Sequence, residues 1–100
     1  MKAATDKLSI ALRAIADPTR RKILRLLQSE AAQKNGDETL GWCAGDLESK
    51  VHLSQPTISH HMKILKSAGL VESRKSGTWV CYQRDENAIR SLRKTLKQEL

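Results

Sequence analysis

The chain predicts a mainly α, α+β fold of the winged helix-turn-helix kind: about five helices, with a two-stranded β-hairpin wing between the fourth helix and the last. Three observations carry this. Apolar residues recur at helical spacing in five stretches, His52-Leu53-Ser54 joins the third stretch to the fourth as a short turn, and a period-two segment around Lys75-Ser76-Gly77 follows the fourth at once. A length of 100 residues supports one domain covering 1–100, and with Trp42, Trp79 and Tyr82 as the only aromatics its core must be aliphatic.

Leu8, Ala11, Leu12 and Ile15 fall at i, i+3, i+4 and i+7, one stripe of a first helix. Asp17-Pro18 ends it and starts a second: Asp17 can accept from the new helix's free N–H groups, and Pro18 stands where a missing N–H costs nothing. That helix carries Ile23, Leu24, Leu26 and Leu27 and fades into Gln28 to Lys34, Asn35-Gly36-Asp37 marks a loop, and the whole stretch from Gln28 to Leu40 is a long connection to the third helix. Residues 44–50 make a short third helix, with Leu47, Val51 and Leu53 inward. Ser54 is placed to cap a fourth helix, Pro56 is tolerated in its first turn, and Ala68-Gly69 closes it with glycine at the left-handed position. Leu70 to Arg74 and Thr78 to Gln83 then flank the Lys75-Ser76-Gly77 turn as a hairpin, and Asp85 caps a last helix striped with Ile89, Leu92, Leu96 and Leu100.

Charge points to a polyanionic partner. Lys and Arg number 18 against 11 Asp and Glu, a net charge of +7, and the excess is two in residues 1–50 but five in 51–100. Nucleic acid is the first candidate partner and an acidic membrane surface the second. A membrane-spanning protein is excluded by the lack of a run of about 18 apolar residues, and the start lacks a secretory leader, so a cytoplasmic location is expected. Cys43 and Cys81, 38 positions apart, are too few for a disulfide framework or a four-ligand zinc site, and a reducing compartment fits them.

On a helical wheel Ile58, Met62 and Leu65 share the inward face of the fourth helix, leaving Pro56, His60, Lys63 and Ser67 opposite, flanked by Thr57 and Ser59. A helix start that is short-chained and polar lets the backbone approach a groove, and Gln55, Thr57, Ser59 and His60 can exchange hydrogen bonds with base edges. With Ser54 at the cap, Lys63 further along, and Arg74 and Lys75 at the hairpin tip, they form the candidate duplex-binding set. The plainer reading leaves the helix residues as capping and solvated-face groups, and the hairpin cations as protection of an exposed strand edge. Separately, the stripes of the terminal helices, about 5–16 and 85–100, exceed what a three-helix core needs to cover, and their surplus faces suit a two-fold dimer interface.

Asp17-Pro18-Thr19-Arg20-Arg21-Lys22-Ile23-Leu24 and the run from Leu53-Ser54-Gln55-Pro56-Thr57-Ile58-Ser59-His60-His61 to Leu70-Val71 closely resemble the ArsR/SmtB family of winged-helix repressors, and Gly77-Thr78-Trp79-Val80-Cys81-Tyr82 is similar to its wing. The resemblance implies a homodimer, paired through its first and last helices, that binds a palindromic operator in double-stranded DNA and represses transcription. It also implies release by a metal, metalloid or thiol-reactive signal. The family's metal sites are not intact here: where a second thiol would stand after Cys43 there is Gly45, and Asn87 and Gln98 replace the histidines of the last-helix site. Cys43 is therefore the candidate sensor, with no metal ligand set and no resident cofactor assigned, and a metal or metalloid effector at Cys43 has no complete site. His60-His61 resembles a metal pair, yet adjacent helical positions point about 100° apart. Rival readings are a protein-interaction winged helix and a regulator with no small-molecule inducer. No nucleophile-base set or phosphate loop suggests an enzyme.

Overall fold

The computed structural model describes residues 6–28 and 42–100. The long connection after Gln28, with the expected Asn35-Gly36-Asp37 loop, lies outside the described residues. Five helices and a three-stranded antiparallel sheet follow in the order α1 (Lys7–Ala16), α2 (Pro18–Gln28), β1 (Trp42–Cys43), α3 (Ala44–Val51), α4 (Gln55–Ser67), β2 (Val71–Ser76), β3 (Trp79–Arg84) and α5 (Glu86–Glu99).

Short polar side chains start the helices where the sequence places them. Asp6 accepts from Ser9 N–H at 2.7 Å to open α1, and Asp85 accepts from Ala88 N–H at 2.9 Å to open α5. Asp17 ends α1 in extended backbone, as a residue before proline must, and its Oδ1 takes the Thr19 N–H at 2.7 Å. The two arginines that follow finish α1 from outside. Arg20 Nε donates to the Ala14 carbonyl at 2.6 Å, and Arg21 donates to those of Ile15 and Ala16 at 2.6 and 3.0 Å. These are carbonyls the helix itself leaves without partners. Asp17-Pro18-Thr19-Arg20-Arg21 is thus a corner that closes one helix and opens the next.

Ser54 takes the cap position of α4 through its backbone, its carbonyl accepting from Ile58 N–H at 3.0 Å, but its side chain makes no cap bond. The hydroxyl lies instead 3.1 Å from that of Thr57. At the other end Gly69, with φ +75°, donates to Lys66 O and Leu70 N–H donates to Leu65 O, the paired bonds of a Schellman ending.

The hairpin forms between β2 and β3 in the register Val71↔Arg84 through Ser76↔Trp79, which puts Lys75 and Ser76 inside β2 and leaves Gly77-Thr78 as the turn. A two-residue hairpin turn needs positive φ at its first residue, and Gly77 supplies +62°. The sheet also has a third strand that the sequence did not announce: β1 pairs with β3 through Trp42↔Tyr82 and Cys43↔Cys81, in the order β1-β3-β2. Two residues are too few to display a period of two, so only the distant partner reveals them.

Ile23, Leu47, Ile58, Met62, Leu65 and Leu70 form the fully buried centre, drawing on α2, α3, α4 and the start of the wing. Burial of each such side chain stabilises the fold by about 1.5–3 kcal/mol. Of the α1 stripe, Ala11 is buried, as is Ala14 outside the stripe, while Leu12 remains 39% exposed. In α5 only Ile89 is buried, and Leu92 and Leu96 are half-exposed.

Arg84, whose charge the sequence allots to the duplex-binding half of the chain, points inward. Its guanidinium grips Glu86 at 2.9 and 3.1 Å and donates to the Leu24 carbonyl at 3.1 Å and Gln28 Oε1 at 3.2 Å, locking the base of the wing to the end of α2.

Candidate nucleic-acid interface

Because Ile58, Met62 and Leu65 fasten one side of α4 to the core, the other side has no choice but to face out. Gln55, Pro56, Ser59, His60 and Lys63 are all exposed, and Ser54 is exposed at the helix start. Thr57 is half-buried, and the hydroxyl it shares with Ser54 leaves each residue part of its hydrogen-bonding capacity for a partner outside. Proline at the first turn leaves its neighbours' N–H groups in the helix-start position that holds phosphate well.

The adjacent histidines diverge. Their rings lie 5.5 Å apart and tilted by 58°. His60 faces outward, whereas His61 turns back to the α1–α2 corner, its Nδ1 3.2 Å from Arg20 Nη1. Burial lowers the His61 pKa below the ordinary 6.5, and the charges of Arg20 and His60 act in the same direction against the pull of Asp17. For Asp17 burial works upward, but N–H bonds from Thr19 and Arg20 and the Arg20 charge outweigh it and hold the carboxyl below 3.8. The result is a polar chain, Asp17 to Arg20 to His61, that fixes the roll of α4 relative to the first two helices. The sequence shows all three residues but no link between them, since Arg20 and His61 are 41 positions apart.

On the wing, Arg74 and Lys75 are exposed as expected. Lys66 serves to join the two elements, its Nζ donating to Ser73 Oγ at 2.7 Å between α4 and β2. A cleft of about 230 Å³ opens between Ala44, Gly45 and Glu48 of α3, Gln55 at the head of α4, and Thr78 and Val80 of the wing. Gln55 and the wing thus border one concave surface, with Lys75 paired in the ladder to Val80 on its wall and Arg74 one position further along the strand.

The cysteines depart from their expected separation. Cys43 and Cys81 face each other across β1 and β3 and are joined by a disulfide, with S–S 2.03 Å. Sequence spacing carried no sign of the bond because β1 itself was invisible there. Among the described residues no group of three or more His, Cys, Asp or Glu is placed to hold a metal ion, and no helix is long and apolar enough to cross a membrane.

A helix-turn-helix whose second helix presents a polar, cationic face, with a basic hairpin hung beside it, is the architecture of a winged-helix DNA-binding domain. Comparison with known proteins agrees. A helix-turn-helix domain family matches residues 15–74. Over 70 residues the chain is 44% identical to the transcriptional repressor SdpR of Bacillus subtilis, covering 70% of this chain and 67% of that one. It is 40% identical over 77 residues to the arsenical resistance operon repressor of Staphylococcus xylosus, covering 77% of this chain and 64% of that protein. The fold superposes with a TM-score of 0.70 and 27% identity on the homodimeric winged helix-turn-helix DNA-binding domain from Mycobacterium bovis, covering 97% of this chain and 82% of that one. The chain belongs to the ArsR/SmtB family of winged-helix, DNA-binding transcriptional regulators, and it is not an enzyme.

Proposed function

We propose that the chain is a repressor that binds a palindromic operator as a homodimer, reading base edges with Gln55, Ser59 and His60, bonding backbone phosphates through Ser54, Thr57 and Lys63, and anchoring the flanking backbone with Arg74 and Lys75. The observation that carries the reading is the shared cleft: the head of α4 and the wing border one concave surface, so a groove and its neighbouring phosphate ridge are contacted together. The dimer rests on what one copy leaves uncovered. A groove of about 680 Å³ lies between α1 and α5, bordered by Leu8, Ala11, Ala88, Leu92 and Thr95, and Leu12 stands exposed on α1. Pairing α1 and α5 across a two-fold axis covers these surfaces and sets two copies of α4 about one helical turn of DNA, about 34 Å, apart.

Selection from a library of random duplexes tests this directly. The expected product is an inverted repeat, bound far more tightly than unselected duplex and with affinity falling steeply in salt. Three cations per protomer predict a slope of log K against log[salt] near −5, about 0.9 per neutralised phosphate. Recovery of no enriched sequence would end the repressor reading.

A further inference from the structure

We propose that Cys43 and Cys81 are a reversible redox site that couples the wing to the helix-turn-helix and thereby sets the affinity for DNA, a reading that rests on the DNA-binding function above. The bond lies where such a coupling is mechanically effective. On one side Cys43 immediately precedes α3, whose Ala44 and Gly45 form one wall of the cleft. On the other, Cys81 belongs to the wing strand, directly opposite Arg74 in the ladder and one residue from Val80, which partners Lys75 and lines the opposite wall. The disulfide therefore joins the two backbone segments that carry opposite walls of the cleft, one of them the strand paired with Arg74 and Lys75. Apart from it, among the described residues β1 is held to the sheet by the pairing of two residues, Trp42 and Cys43.

The two sulphurs have different surroundings, which assigns their roles. Cys81 is 1% exposed, whereas Cys43 is only half-buried, so a reagent from solvent meets Cys43 first. Cys43 also occupies the N-cap position of α3, where its side chain makes no cap hydrogen bond and the partial positive charge of the helix start favours a thiolate once the bond is open. In oxidation by a hydroperoxide, the Cys43 thiolate attacks the terminal peroxide oxygen. The O–O bond breaks, the alkoxide takes a proton and leaves as an alcohol, and Cys43 becomes a sulfenic acid. Cys81 thiolate then attacks Cys43 Sγ, the S–O bond breaks, and hydroxide departs as water after taking the proton Cys81 released. Two thiols have lost two electrons and two protons, and the hydroperoxide has become one alcohol and one water. Reduction by a small-molecule thiol runs through Cys43 again: its sulphur is attacked, Cys81 leaves and is protonated, and a second thiol releases Cys43 from the mixed disulfide.

The closed bond holds the wing in place before DNA arrives, so less conformational freedom is lost on docking. The oxidised form is therefore the tighter binder. In the test, the full chain is treated with hydrogen peroxide or with dithiothreitol, labelled with iodoacetamide and weighed by mass spectrometry, and titrated against the duplex obtained by library selection. Expected are no adducts after peroxide, two after dithiothreitol, and a Kd weaker by about fivefold in the reduced form. Cys43→Ser and Cys81→Ser should bind with the weaker constant in both conditions, their folding checked by circular dichroism. The wild-type comparison decides the matter even if a variant fails to fold. Equal Kd values for the two forms, or two adducts persisting after peroxide, would overturn the proposal. Loss of preference for the selected duplex in both forms would instead overturn the DNA-binding reading and this regulation with it, while the labelling still reports whether the pair is redox-active.

Discussion

His61 shows how one side chain in the reading helix can be committed to structure while its neighbour is left for a partner. Its ring is pinned beside Arg20, which is itself held by Asp17 and by the carbonyls of Ala14 and Arg13 at 2.6 and 3.1 Å. Burial of the ring, with the Arg20 charge adding to it, disfavours protonation of His61 and holds its pKa below 6.5. A group whose pKa is lower folded than unfolded stabilises the fold above its unfolded pKa, and that contribution is lost as pH falls through the folded value. Thermal stability should accordingly decline as pH is lowered from about 7 to below the ordinary histidine range of 6.5. The same titration on His61→Gln, which is neutral throughout, should show a shallower decline over that interval. Identical pH profiles for the two proteins would show that His61 does not titrate between the states.

At the scale of elements, α4 and the wing do different work and should respond differently to truncation. α4 offers hydrogen-bonding groups to base edges, so Gln55→Ala should cost about 1–3 kcal/mol on the selected duplex and little on random DNA. The wing offers charge, so Lys75→Ala should weaken both kinds of duplex alike and reduce the salt slope by about 1 per protomer. Anisotropy titrations at several salt concentrations measure both quantities, and equal losses on specific and random DNA for both variants would remove this division of roles. Much of this was legible in the residue order. The inward stripe of Ile58, Met62 and Leu65 dictates the outward face by subtraction, and Gly69 and Gly77 mark where α4 and the hairpin turn must reverse. What pattern reading misplaced was the tip, because Lys75 and Ser76 belong to the ladder and the turn is confined to Gly77-Thr78. A turn's length depends on which residues pair across it, and local composition does not specify that pairing.

For the whole molecule, the question is how much apolar surface one copy can cover. Leu12 is 39% exposed and Leu92 and Leu96 are half-exposed, on the two helices that flank the core. Substituting Leu12→Glu leaves the buried centre untouched and places two carboxylates against the proposed two-fold interface. Sedimentation velocity should then report a monomer whose circular dichroism matches the parent chain. Affinity for the selected inverted repeat should fall at least about tenfold, since one half-site is bound without its partner. A Leu12→Glu protein that remains dimeric would move the interface elsewhere.

The sequence by itself determined the order of the five helices and the hairpin, the helix caps at Asp17 and Asp85, the polar face of α4 and the concentration of positive charge in the second half, because each of these is local: a periodicity, a proline, a glycine, a count. Only the tertiary structure decided which charges are free and which thiols meet. Arg84 counts as one more cation until it is seen gripping Glu86 and the end of α2, and Cys43 and Cys81 look like two unrelated residues until β1 lies down beside β3. The disulfide and the bonds from Arg84 to α2 depend on contacts between segments 38 or more positions apart. Such contacts are selected by the packing of the whole core, and spacing along the chain carries no record of them.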